Sequence, residues 1–206
     1  MLSFEEYYKE HFIETATTLQ SLLEMPQYFP AKQMVYQKDS RFLPISPNNI
    51  ASYDAIGNDG AFVYVVHPNC AIGYAINVED LKQAIGNKTD VLPAMTVSLR
   101  DTTLNIKQAH ALRIRERYSR SSVATRWYVF YVMRFGAIAS DFEHLEGGML
   151  LWKSLIGKAK QRNLEAHTHS FDTNEDKHVD ASTPFEEIWS TTPDKKNTVI
   201  VLKKLQ

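Results

Sequence analysis

The stretch of the sequence that most constrains the fold is residues 135–156. It holds a short apolar segment, an acidic turn with Asp141 and Glu143, the pair Gly147-Gly148, and then apolar residues at helical spacing. This order predicts a strand, a tight turn and an amphipathic helix. Because the first N–H groups of a helix lack intrahelical partners, we expect a small-molecule site at this turn. The alternative is that the glycines only permit the turn.

The part of the chain before residue 100 predicts a helix, an irregular connection and a hairpin. Ser3 and Glu6 have the spacing of a capping box, and an apolar stripe then continues to Pro26. In chain order, we predict a helix over 3–25, an irregular connection over 26–59 with a short strand at 34–37, an antiparallel hairpin of 61–66 and 71–78, a helix over 79–85, and a strand over 91–99.

The middle of the chain contains one ambiguous segment and one strong pattern. Residues 103–120 favour a helix ending near Arg117, although alternation of arginines with apolar residues also suits a strand. Residues 125–133 are rich in aromatic and β-branched side chains and predict a strand. After the glycines we expect a helix, a strand over 164–171, a loop over 172–183, and two closing strands over 185–190 and 198–203.

These elements predict an α/β (α+β) fold. We expect a single domain with a mixed, mostly antiparallel sheet flanked by helices. Residues 1–59 would form its helical and irregular N-terminal part, and residues 60–206 its sheet core.

Composition narrows the function classes. The formal net charge of −1 gives no general attraction to nucleic acid or anionic membrane. Cys70 is the single cysteine, so an intrachain disulfide and a thiolate metal cluster are excluded. The N-terminus carries acids where a signal peptide would be basic, and apolar runs fall short of the roughly 20 residues of a transmembrane helix. We therefore expect a soluble cytoplasmic protein without membrane contact.

The predicted order of elements, with the run His144-Leu-Glu-Gly147-Gly148-Met149, resembles the GNAT superfamily of acyl-CoA-dependent N-acyltransferases. The family's loop has the form Gln/Arg-x-x-Gly-x-Gly/Ala and cradles the pyrophosphate of CoA; here a histidine stands first and a methionine last. The topological resemblance covers residues 60–205. It implies acetyl-CoA or another acyl-CoA as cofactor and an amine as acceptor. The implied cofactor-binding residues are Ile138, Ser140, His144, Leu145, Glu146, Gly147, Gly148 and Met149.

The resemblance also implies catalytic residues. Glu143 or Asp141 would be the base that deprotonates the amine. His178 is the titratable residue that could protonate the leaving thiolate, where the family places a tyrosine. The alternative for the two acids is that they only stabilise the start of the following helix through its dipole.

A second function class is a non-catalytic module on the same scaffold that binds a protein or nucleic acid. Its binding surface would be the arginine cluster, which we define as Arg113, Arg115, Arg117, Arg120 and Arg126. The alternative is a solvated face whose arginines form salt bridges.

The pair His167 and His169 shares one strand face and, with Asp172 or His178, has the residue types of a metal site. No motif fixes a third ligand, so we predict no metal.

Overall fold

The computed structural model describes residues 36–37, 42–142, 146–188 and 197–205. The predicted helix over residues 3–25 lies outside them. The described chain combines helices with strands that pair mostly antiparallel, which confirms the predicted α/β class. The strands are β1 (Tyr36–Gln37), β2 (Asp54–Asn58), β3 (Phe62–Val66), β4 (Ile72–Asn77), β5 (Met95–Asp101), β6 (Lys107–Arg115), β7 (Ala137–Ala139), β8 (Leu164–Ser170), β9 (Glu175–Val179) and β10 (Thr198–Lys204). The helices are α1 (Pro47–Ile50), α2 (Val78–Asn87), α3 (Val123–Phe135), α4 (Glu146–Gly157) and α5 (Phe185–Ile188).

The described residues up to Leu99, together with Leu112–Phe130, form the first of two compact units. Its strands are hydrogen-bonded in the order β2-β3-β4-β5-β6, and β1 pairs parallel to β6. Val63, Val65 and Ile76 of the β3–β4 hairpin lie in one buried cluster with Leu81 of α2. The predicted hairpin and the helix that follows it are therefore confirmed.

Two glycines let helix α3 approach the strands of this unit closely. A Cβ atom at Gly73 of β4 would overlap the Trp127 indole, and one at Gly57 of β2 would overlap the Phe130 ring. Glycine within a strand marks such an approach of another group to the backbone.

Residues 100–111 and 131–205 form the second unit. Its strands are hydrogen-bonded in the order β6-β7-β10-β8-β9. Strands β6 and β7 are parallel, whereas β10 lies between β7 and β8 and is antiparallel to both. Helix α4 buries Leu151, Trp152, Leu155 and Ile156. The predicted strands over 164–171 and 198–203 are confirmed.

The strand predicted over residues 125–133 is wrong, because the segment forms helix α3. Trp127, Tyr128, Phe130 and Val132 are all buried, so the helix lacks the polar face that would reveal its period. A continuous apolar run does not distinguish a buried helix from a buried strand, and tertiary burial here overrides strand propensity.

Other boundaries also differ from the predictions. The favoured helix over 103–120 is wrong, because residues 107–115 form β6, as the strand alternative holds. The loop predicted over 172–183 contains β9, and the strand predicted over 185–190 begins with helix α5. The sheet includes strands before the predicted residue 60: β1 pairs with β6, and β2, which begins at Asp54, pairs with β3 despite its polar and glycine residues.

None of the helices in the described ranges is long and apolar enough to cross a membrane.

Candidate functional site

Asp141, which follows β7, is a polar side chain of the second unit with several partners. Its Oδ1 accepts hydrogen bonds from Arg100 Nη2 and from the backbone N–H of Phe142, both at 2.9 Å. Its Oδ2 lies 3.0 Å from His110 Nδ1 on β6. We call Arg100, His110 and Asp141 the Asp141 cluster. Asp141 is therefore a partly buried carboxylate that positions one imidazole and one guanidinium.

A buried glutamine fixes the orientation of this cluster. Gln108 Oε1 accepts a hydrogen bond from Arg100 Nε at 2.7 Å, and Gln108 Nε2 donates to the Ser140 carbonyl at 2.7 Å. Arg100 thus has a second anchor besides Asp141. The guanidinium also lies over the Phe142 ring, at 5.6 Å from its centroid. Amide, guanidinium and carboxylate are each held by at least two contacts.

His110 is the member of the cluster that can exchange a proton with a ligand. Its side chain is half-exposed, and Asp141 accepts from Nδ1. With the proton on Nδ1, the Nε2 lone pair is left for an incoming group. A carboxylate that holds one ring nitrogen in this way fixes the tautomer and the orientation of the ring.

Two of the predicted cofactor-binding residues have side chains that are buried within the sheet. Ile138 is fully buried in β7, opposite Leu202 of β10. The Ser140 hydroxyl is also buried; it accepts from the backbone N–H of Ile200 at 2.9 Å and donates to the Asp141 carbonyl at 2.9 Å. Both residues therefore support the backbone that carries Asp141.

The predicted glycine turn is part of helix α4. Glu146 is its first residue, so Gly147 and Gly148 lie in its first turn, and Gly148 and Met149 are half-buried. Glu143, His144 and Leu145 lie outside the described residues, so their predicted roles stay predictions.

His178 lies on β9, exposed and opposite His167 of β8, with the two rings edge-to-face at 5.4 Å. Its predicted role in protonating a thiolate stays a prediction. His169 contacts Asp176 Oδ1 through Nδ1 at 2.9 Å. Within the described ranges, no three His, Cys, Asp or Glu side chains are grouped to hold a metal ion.

In the first unit, Asp80 engages two members of the arginine cluster. Arg117 pairs with its Oδ2, and Arg115, which is buried, lies 3.7 Å from the same oxygen and donates to the Leu92 carbonyl. The Tyr118 hydroxyl donates to Asp80 at 2.7 Å. Burial and this hydrogen bond raise the pKa of Tyr118 well above its ordinary value.

Arg126 belongs to a second buried cluster of the first unit. It pairs with Asp59 Oδ2, to which the Tyr64 hydroxyl also donates at 2.6 Å. We call Asp59, Tyr64 and Arg126 the Asp59 cluster. Asp59 Oδ1 accepts from the backbone N–H groups of Ala61 and Phe62, at 3.0 and 2.8 Å. Burial, followed by the charge of Asp59, raises the pKa of Tyr64 well above its ordinary value.

Three members of the arginine cluster are therefore engaged with acids of the same unit, namely Arg115, Arg117 and Arg126. The exposed members are Arg113, Arg117 and Arg120. This arrangement agrees with the salt-bridge alternative for the first three.

Sequence reasoning missed Arg100, Gln108 and His110. The strand alternative for 103–120 held the signal, because residues 108 and 110 share one face of a strand. In the helix favoured for that segment, residues 108 and 110 would lie on different faces.

The chain matches no known protein-family model, no curated protein and no solved structure.

Proposed function

We propose that the chain is an acyl-CoA-dependent N-acyltransferase in which His110, held by Asp141, deprotonates an amine acceptor. The observation that carries this proposal is the contact between His110 Nδ1 and Asp141 Oδ2. It presents a half-exposed imidazole whose other nitrogen is available to a ligand. The role predicted for Asp141 changes from base to orienting carboxylate.

The strand geometry of the second unit supports the same reaction. The last residue pair between the parallel strands β6 and β7 is Gln108 with Ala139. His110 lies two residues beyond this pair on β6, and Asp141 lies two residues beyond it, after the end of β7. The GNAT resemblance expects the thioester beside a splayed strand, followed by a helix, a strand and a terminal pair of strands. Helix α4, β8 and β10 follow in that order, with β9 and α5 between β8 and β10.

The chemistry of these residues suits amide formation. An acyl-CoA supplies an activated thioester carbonyl when it is bound. His110 Nε2 takes the proton from the attacking amine while the new C–N bond forms and the C–S bond breaks. The Asp141 carboxylate stabilises the resulting imidazolium, and Arg100 holds that carboxylate in place through a charge-assisted hydrogen bond.

The start of helix α4 suits the cofactor's pyrophosphate, because Gly147 and Gly148 lie in its first turn. The N–H groups of a first helical turn lack intrahelical partners and can bind an anion. This helix start belongs to the same unit as the Asp141 cluster.

The alternative function, a non-catalytic module that binds through the arginine cluster, has less support. Arg115 and Arg117 pair with Asp80, and Arg126 pairs with Asp59, within their own unit. A binding surface would have Arg113, Arg117 and Arg120 as exposed members, and Arg117 is already paired with an acid.

The first test is binding of acetyl-CoA to the purified chain. A ligand present at a hundredfold excess over its Kd adds about 2.7 kcal/mol to the free energy of unfolding. We expect a rise in the melting temperature with acetyl-CoA. An unchanged melting temperature at millimolar acetyl-CoA and CoA would contradict the proposal.

The second test is release of free CoA from acetyl-CoA in the presence of a panel of primary amines. His110→Asn should lower the rate about 10²- to 10⁴-fold, the usual contribution of a general base. His67→Asn is the matched control, because His67 contacts Asn69 in the turn between β3 and β4. Equal rates in both variants would exclude His110 as the base.

A further inference from the structure

We propose that a cavity at the C-terminal end of helix α4 binds a small aliphatic amino acid through both its ammonium and its carboxylate. The cavity lies within the second unit and is independent of the Asp141 cluster and of the proposed acyl transfer. Its volume is about 220 Å³. Its lining residues are Lys153, Ile156, Gly157, Asp180, Ala181, Thr183 and Ile188.

The size of the cavity limits its ligand. A water molecule occupies about 30 Å³ of liquid volume, so 220 Å³ holds roughly seven atoms of that size. Drug-sized ligands occupy pockets of about 300–1,000 Å³. A compound such as 4-aminobutyrate matches the smaller volume.

The wall of the cavity is aliphatic. Ile156 of α4 and Ile188 of α5 are buried residues that contribute to it. Gly157 and Ala181 add little bulk. A short methylene chain therefore replaces water against this wall, and the burial of its CH₂ groups favours binding.

The exposed Asp180 contributes a carboxylate to the lining, which attracts a cation. The backbone N–H and the hydroxyl of Ser182 both donate to Asp180 Oδ1, at 2.8 and 2.6 Å. These hydrogen bonds lower the pKa of Asp180, so the carboxylate is ionised at neutral pH. Both bonds reach Oδ1, which leaves Oδ2 as the acceptor for an ammonium group. The C-terminal end of helix α4, at Gly157, adds the negative end of its dipole.

Lys153 supplies the opposite charge. It lies one helical turn before Gly157 on α4, and its ammonium carries three donors, so it can serve a ligand carboxylate besides its other contact. Thr183 adds a polar group, since its Oγ1 accepts from the backbone N–H of Asp180 at 3.0 Å and its own proton remains to be donated. A ligand that carries both an ammonium and a carboxylate can therefore pair with Asp180 and with Lys153 at the same time.

The experiment is isothermal titration calorimetry on the full chain with 4-aminobutyrate, n-butylamine and butyrate. We expect saturable binding of 4-aminobutyrate, and about tenfold weaker binding of each probe that lacks one charge, because a charge-assisted hydrogen bond contributes at least that factor. Asp180→Asn should weaken 4-aminobutyrate and n-butylamine, and Lys153→Met should weaken 4-aminobutyrate and butyrate. Equal affinity for all three probes, or no saturable heat, would overturn the proposal.

A pair of glycine variants separates the cavity from other surfaces. A Cβ atom at Gly157 or at Gly86 of α2 would meet nothing within 4 Å, so the two sites make a matched pair for substitution. Gly157→Leu should fill the cavity and abolish binding, whereas Gly86→Leu should bind like the unmodified chain. Unchanged binding in Gly157→Leu would show that the ligand lies elsewhere and would overturn the proposal.

Discussion

The Asp59 and Asp141 clusters have the same composition in outline but differ in exposure. Each joins an aspartate to an arginine and to a titratable ring, Tyr64 in one and His110 in the other. The Asp59 and Arg126 side chains are 0% and 10% exposed, whereas those of Asp141 and Arg100 are 17% and 40% exposed, and His110 is 54% exposed. The closed cluster can only hold its unit together, while the open one leaves an imidazole nitrogen for a ligand.

The largest expected difference is in the free energy of unfolding when each aspartate is removed. Asp59→Ala leaves the Arg126 charge buried without its partner and should cost about 3–5 kcal/mol. Asp141→Ala should cost only about 1 kcal/mol, because Arg100 is solvated and its ion pair is screened. Urea unfolding of both variants measures the difference. Equal losses would remove the distinction between the clusters.

The second largest expected difference is in the free energy of unfolding when the ring of each cluster is replaced. Tyr64→Phe removes a buried hydrogen bond to a carboxylate and should cost about 1.5–3 kcal/mol. His110→Asn should change the free energy of unfolding by less than about 0.5 kcal/mol, as expected for an exposed side chain. A strongly destabilised His110→Asn variant would mean that His110 serves the fold.

Alkaline pH provides a third test through Tyr64. Because the folded pKa of Tyr64 lies above the unfolded value of about 10, the phenol's contribution to stability is fully present below pH 10. It is lost as the pH rises above 10, where the unfolded chain ionises first. Unfolding midpoints between pH 9 and 11.5 should therefore fall less steeply in Tyr64→Phe. Parallel curves would contradict a closed cluster.

The smallest expected effect is on the pKa of Asp176, whose exposed carboxylate contacts the buried His169. The hydrogen bond from His169, followed by the charges of Lys203 and the histidines, lowers the pKa of Asp176. Its contribution to stability is therefore present above the unfolded pKa of about 3.9 and is lost as the pH falls through the folded pKa. His169→Gln should raise the pKa of Asp176 towards its ordinary value in an NMR titration.

The sequence predicted the hairpin and the closing strand β10 because their patterns are local. Residues 61–66 are followed by a short turn and then by a second segment typical of a strand. This order predicts an antiparallel hairpin, and β3 and β4 pair in that way. Helix α3 could not be predicted in this way. Its aromatic and β-branched residues favour a strand locally, and only packing of Trp127 and Phe130 on Gly73 and Gly57 accounts for the helix.

The candidate site was predicted only through Asp141. Its partner His110 lies far from it along the sequence, and the two meet because β6 and β7 pair in parallel. A single sequence carries no signal for that pairing, which depends on the chain between the strands forming a helix. A strand over residues 125–133 would leave no helix to connect β6 with β7 as parallel neighbours. The sequence pattern therefore gives no partner for Asp141.

We propose that the open Asp141 cluster performs chemistry while the closed Asp59 cluster maintains the fold. The most direct test measures CoA release and the unfolding midpoint on the same preparation of His110→Asn. We expect a loss of rate of about 10²-fold or more with an unchanged midpoint. An unchanged rate of acyl transfer, or a rate that falls only as far as the folded fraction falls, would contradict it.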